Sequence, residues 1–155
     1  MELILWRHAE AEPGEPDAQR ALTSKGIRHA ARMGAWLDRQ LPEGCRIFVS
    51  PTVRCVQTAD GLGRRYTIHE GLGPESTPEA MLAACGWPHH RFPALLVGHQ
   101  PQLGQTAALI LAGESQPWKI RKGSVLWLRG PEPEPDGDPA FIKLAVGPEL
   151  IGKLR

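Results

Sequence analysis

The stretch Leu3-Ile4-Leu5-Trp6-Arg7-His8 decides the reading of this chain. The apolar run Leu3 to Trp6 reads as a buried first strand. The two polar residues directly after it stand where open α/β sheets place their sites, outside the carboxyl ends of parallel strands. Arg7 offers a permanently charged planar fork that suits phosphate, and His8 can act as base, ligand or nucleophile. One such pair carries little weight. It gains weight if other strand ends supply a second arginine and a second histidine.

Reading outward, Glu12 to Asp17 is a loop by its Pro and Gly content. Thr23 can cap a helix over about 24–40, with Ile27, Ala30, Ala31, Gly34 and Leu37 at helical spacing on one side. Arg46-Ile47-Phe48-Val49 is a second strand. Ser50-Pro51 reads as a helix start, Ser50 as cap and Pro51 at the first helical position, for a helix running to about Leu62. Tyr66 to His69 is a short strand candidate. Thr77-Pro78-Glu79 repeats the cap-plus-proline signal and opens a helix to about Ala84. Ala94 to Val97 is a buried-type strand, and a helix is expected from Pro101 through Leu111. Val125 to Leu128 and Phe141 to Leu144 read as two strands, joined by an exposed loop over Pro131 to Pro139. Strands alternating with helices predict a three-layer α/β/α sandwich with a mainly parallel sheet and a C-terminal antiparallel hairpin. One domain over residues 1–155 is expected.

Hydrophobic content of 41% and charged content of 23% suit a folded soluble chain. A net charge of +1 argues against nucleic-acid binding through bulk charge. No run has the length of a membrane span, and Met1-Glu2-Leu3 opens almost directly on a strand, so a cytoplasmic location is the expectation. Cys45, Cys55 and Cys85 are widely spaced and read as small residues in or near the core. His89-His90 lacks further ligands at metal spacing apart from Cys85, so it reads as loop. The tryptophans read as packing residues, with Trp87 or Trp118 a candidate to border a mouth. Lys119 to Lys122 reads as a solvated strand end or, alternatively, a docking point for an acidic partner.

The second strand is followed by Ser50-Pro51-Thr52-Val53-Arg54, and the later one by Gly98-His99-Gln100-Pro101. Parallel strands would open Arg7, His8, Arg54 and His99 on one side of the sheet. Two guanidinium groups at one mouth repel unless an anion lies between them, and helix N-termini add positive potential. Phosphate best uses all of this. Cations that neutralise the phosphoryl oxygens let a neutral imidazole attack phosphorus.

These residues resemble the histidine phosphatase superfamily, the phosphoglycerate mutase-like fold, and within it the short SixA-type phosphohistidine phosphatases. The resemblance is carried by Leu3 to Ala11, by Arg20-Ala21-Leu22-Thr23 with Gly26, by Ser50 to Ala59, and by Val97 to Pro101, in the family's order. It implies that His8 is the nucleophile and forms a phosphohistidine intermediate. Arg7 and Arg54 would bind phosphoryl oxygens, and His99 would contact the same group and stabilise its charge in the transition state. Arg20 would line the rim. No metal or organic cofactor is implied. Ala9 stands where the superfamily usually has glycine, which requires a backbone open to any residue. Larger relatives supply a carboxylate acid for an alcohol leaving group. Here Leu72-Gly73-Pro74 resembles the pattern without it, and Glu70, Glu75 and Glu79 are nearby. A phosphoramidate needs less acid assistance, which favours a phosphohistidine on a protein partner. A small phosphorylated metabolite is the alternative substrate, and a phosphate-binding module without turnover is the third reading.

Overall fold

Two apolar faces run along the first strand, and they explain the layers. The structure, a computed structural model, describes residues 1–152. In β1 (Glu2–Arg7), Ile4 and Trp6 point to one side of the sheet and Leu3 and Leu5 to the other. All four are fully buried. A strand apolar on both sides must be covered on both sides. Helices α1 (Ser24–Gln40) and α2 (Val53–Asp60) cover the Ile4 and Trp6 side, with Met33, Leu37 and Cys55 in its core. Helices α3 (Pro78–Cys85) and α4 (Gln102–Ala112) cover the other, with Met81, Leu103 and Ala107 in its core.

The remaining strands are β2 (Arg46–Val49), β3 (Thr67–Ile68), β4 (Ala94–Gly98), β5 (Val125–Arg129) and β6 (Phe141–Val146). The sheet order is β3-β2-β4-β1-β5-β6. Strands β3, β2, β4 and β1 are parallel, and β5 runs against β1 and pairs antiparallel with β6. The α/β/α sandwich and its C-terminal hairpin are as the alternation implied. Central β4 is buried at every position. The expected strand over Tyr66 to His69 shrinks to two exposed residues at the sheet edge.

Two helix starts follow the sequence signal. Thr23 Oγ1 accepts from Gly26 N–H and Thr77 Oγ1 accepts from Ala80 N–H, as N-caps do. The third does not. Helix α2 begins at Val53 with Thr52 as its N-cap residue, so Ser50 is no cap and Pro51 is not its first residue. Ser50 instead continues the β2 ladder, its N–H donating to Val97 O at 3.0 Å. Its hydroxyl lies 2.8 Å from His99 Nε2, with Thr52 N–H a longer donor to it at 3.4 Å. Trp87 is no border of the mouth. It packs on Gly130 and His90 near Met1 and Glu2, at the opposite end of β1. Trp118 is half-buried against the α3–α4 core. No described helix is long and apolar enough to cross a membrane.

Helices α1 and α2 meet backbone to backbone. A Cβ built on Gly34 would lie 2.1 Å from the carbonyl oxygen of Gly61. Gly34→Ala is therefore expected to destabilise the fold by about 1–3 kcal/mol, the usual range for overpacking. Urea denaturation should show a lower midpoint at unchanged slope; an unchanged midpoint would contradict this packing.

Candidate active site

Strand register brings the site together. Arg7 is paired with Gly98, and Trp6, Val97 and Val49 stand in one row across β1, β4 and β2. Past that row, His8 N–H donates to Gly98 O at 3.1 Å. His8, His99 and Ser50 therefore leave neighbouring strand ends at nearly the same height. Arg54 follows in the first turn of α2 and is 3% exposed. Ala9 N–H donates to Thr58 Oγ1 at 3.0 Å, and that hydroxyl donates to Arg54 O at 2.8 Å. Thr58 thus ties the His8 segment to the helix that carries Arg54.

The two histidine rings lie 5.3 Å apart, centroid to centroid, and both are buried. His8 Nδ1 is 2.8 Å from Ala9 O. A carbonyl only accepts, so the proton sits on Nδ1 and the lone pair on Nε2. Burial chiefly, with the charges of Arg54, Arg7 and Arg20, pushes His8 from 6.5 down to about 4, against the opposing bond to Ala9. At neutral pH the ring is an uncharged imidazole with Nε2 available. His99 Nε2 is 2.8 Å from Ser50 Oγ, and its Nδ1 is 3.5 Å from Arg54 Nη2. A guanidinium only donates, so here Nδ1 accepts and Nε2–H donates to Ser50. Burial first, then His8 and Arg54, push His99 down to about 3, while Asp17 opposes. Cys55 Sγ is 3.5 Å from the same Nε2. Burial raises its thiol to about 11, so it stays un-ionised.

Both arginines are anchored and incompletely satisfied. Arg7 Nη1 donates to Ile120 O at 2.9 Å. Arg54 Nη1 donates to Asp17 O at 2.8 Å and Nη2 to Asp17 Oδ2 at 3.0 Å. Arg7 Nε and Arg54 Nε are buried and meet no acceptor among the described residues. Two guanidinium groups with incomplete acceptor sets at one mouth favour an anion beside them. Arg20 Nε donates to Asp17 Oδ1 at 2.9 Å, so Arg20 reaches the site through Asp17. Arg20 first, and then Arg54, hold the Asp17 carboxyl below its ordinary range.

The sequence profile of the histidine phosphatase superfamily (branch 1) matches residues 3–73. An uncharacterized protein of Picosynechococcus is 31% identical over 143 residues, covering 83% of this chain and 85% of its own. The chain belongs to the histidine phosphatase superfamily. Within the superfamily it is 29% identical over 127 residues to the phosphohistidine phosphatase SixA of Escherichia coli, covering 76% of this chain and 78% of SixA. The structure of SixA complexed with tungstate superposes with a TM-score of 0.75 at 22% identity, over 96% of this chain and 97% of that one.

Sequence reasoning pointed to Arg7, His8, Arg54, His99 and Arg20, and all five stand at this end of the sheet. It missed Ser50, Thr58 and Asp17. Ser50 was legible only as a cap, and Asp17 only as loop, although its spacing to Arg20 suits an i,i+3 ion pair. Ala9 lies fully buried, and no non-glycine residue among the described residues has positive φ, so its backbone has no need of glycine. Glu70 and Glu75 line a neighbouring cavity of about 630 Å³ beside Ala18 and Thr52, and Glu79 does not. No group of three or more His, Cys, Asp or Glu side chains among the described residues is placed to hold a metal ion.

Histidine ring titration by NMR should find His8 neutral at pH 6 with its proton on Nδ1, and a midpoint near 4 rather than 6.5. The unfolded chain then takes up protons first as pH falls. Stability is therefore full above about pH 6.5 and declines from there toward pH 4. A His8 midpoint between 6 and 7 in the free protein would refute this.

Proposed function

We propose that the protein hydrolyses a phosphoryl group through a covalent phosphohistidine on His8, and that its substrate is a phosphohistidine on another protein. The observation that carries this reading is the neutral His8 imidazole, held with Nδ1 protonated, beside two buried guanidinium groups whose Nε atoms lack acceptors.

The phosphoryl oxygens sit against Arg7 and Arg54. His8 Nε2 attacks phosphorus in line. The new N–P bond forms as the substrate's N–P bond breaks, and the leaving imidazole departs with its proton. As the dianion binds, His99 takes up a proton from solvent at Nδ1 and donates it in a hydrogen bond to a phosphoryl oxygen, while Nε2–H stays on Ser50. Water then attacks the phosphohistidine, releasing phosphate and restoring neutral His8. Arg7, Arg54 and His99 stabilise charge that grows in the transition state, which is where electrostatic catalysis acts. Arg20 acts at the rim through Asp17. These cations carry the neutralisation that a metal would otherwise supply, so the reaction is proposed to run without metal or organic cofactor. The SixA relative and the ease of breaking a P–N bond without a strong acid support the phosphohistidine substrate. A cytoplasmic site of action accords with such a partner.

A small phosphomonoester is the second reading, and Glu70 and Glu75 in the adjacent cavity favour it, since an alcohol leaving group needs an acid. Competing rates on a histidine-phosphorylated protein and a panel of monoesters separate the two, and a clear preference for one monoester decides for the second.

His8→Ala should lose activity by about 10³-fold or more, and Arg54→Ala by about 10²-fold or more. Brief reaction with a 32P-labelled phosphoramidate should trap an acid-labile, base-stable phosphoenzyme mapping to His8. Undiminished activity in His8→Ala would overturn the nucleophile. Excess EDTA should leave the rate unchanged.

A further inference from the structure

Arg7 also forms part of a second, open cleft of about 370 Å³ on the β5 side of the sheet. Its other cations are Lys25 of α1 and Lys119, Arg121 and Lys122 of the segment before β5. The opposing carboxylates are Glu10 and Glu149. Glu10 is already engaged, its Oε2 accepting from Thr23 Oγ1 at 2.8 Å. His29 lines the cleft too, and burial chiefly lowers its pKa, so it adds no charge at neutral pH. Five cations thus face two carboxylates in a chain whose net charge is +1. Lys25, Lys119, Arg121 and Lys122 are exposed, and none forms an ion pair among the described residues.

The wall that carries these charges is rigid. Gly123 N–H donates to both Arg7 O and His8 O, at 3.1 and 3.0 Å. Trp6 Nε1–H donates to Gly123 O at 3.1 Å. Gly123 has φ +74°, a conformation that favours glycine. The basic segment is therefore bolted to the backbone of the Arg7-His8 pair.

We propose that this cleft binds acidic side chains flanking the phosphorylated residue of a protein substrate. The proposal rests on the phosphatase reading above and adds what recognises the carrier of the phosphate. Arg7 is common to the phosphate pocket and the cleft, so a carrier seated at His8 lies beside the cleft. The four cations other than Arg7 are exposed and drawn from two separate elements, which suits an extended acidic segment better than one compact anion. Matched charge at such a mouth raises the rate of encounter and selects partners, and salt screens it.

The test uses the intact chain and its Lys119→Glu/Arg121→Glu/Lys122→Glu variant, with the corresponding Gln variant as a milder control. Three substrates are compared: phosphoramidate, which reaches only the inner pocket, and two histidine-phosphorylated peptides differing in flanking Asp and Glu versus Asn and Gln. The wild type should favour the acidic peptide, and the Glu variant should raise its KM about tenfold, the sum of three modest surface charge contacts. Turnover of phosphoramidate should be unchanged. Equal KM for the two peptides, or equal loss on phosphoramidate, overturns the proposal. So does a preference for a small ester with a second anionic group that depends on the same residues. Calorimetry with the unphosphorylated acidic peptide at low salt reads the cleft independently. If no substrate is turned over, the phosphatase reading fails. Binding lost in the Glu variant would still uphold the cleft, and equal binding would overturn it.

Discussion

The register of three parallel strands is the constraint on which the site depends. Pairing of Arg7 with Gly98, and of Trp6 with Val97 and Val49, aligns the ends of β1, β4 and β2 to within a residue. A slip by one residue would turn Leu3 and Leu5 toward the wrong helices and move His8 away from His99. Burial of both faces of β1 forbids that slip. The same apolar packing that stabilises the sheet therefore places the reactive groups. Thr58 then links the backbone beside His8 to the backbone of Arg54 through one hydroxyl.

Electrostatics works against stability and for chemistry at that point. Two guanidinium groups and two imidazoles crowd one end of the sheet, and burial keeps both imidazoles uncharged. An ionised His8 would add a third positive charge and remove the lone pair. Asp17 relieves part of the repulsion by bridging Arg20 and Arg54, while being half exposed itself. The inner Nε atoms of Arg7 and Arg54 remain without acceptors, so both positive charges stay under-compensated. The Gly123 segment serves both sides of Arg7: it braces the backbone of Arg7 and His8 and lines the basic cleft.

Much of this was legible in residue order. Thr23 and Thr77 announced their helices because a hydroxyl cap is a local device. The continuous apolar runs of β1 and β4, and the alternation of strands with helices, announced a doubly covered sheet. Arg7, His8, Arg54 and His99 were visible because each follows an apolar run or opens a helix. Ser50 was misread for a physical reason. A serine before proline has the pattern of a cap, yet its hydroxyl is drawn to His99, the residue just past the end of a neighbouring strand. Asp17 was invisible as a site residue because its partner Arg54 lies far along the chain and in another element.

Sequence alone determined the layers, the family and the identity of four groups at the mouth, since periodicity and short motifs are properties of neighbouring residues. Tertiary structure decided how those groups behave. The tautomer of His8 depends on the carbonyl of Ala9, that of His99 on Ser50 and Arg54, and the neutrality of both on burial by the whole fold. The concentration of positive charge beside Arg7, in a chain nearly neutral overall, was likewise a matter of folding. Charge sums along a chain carry no direction, and only the fold, which brings Lys25 of α1 to the same cleft as the segment before β5, gives them one.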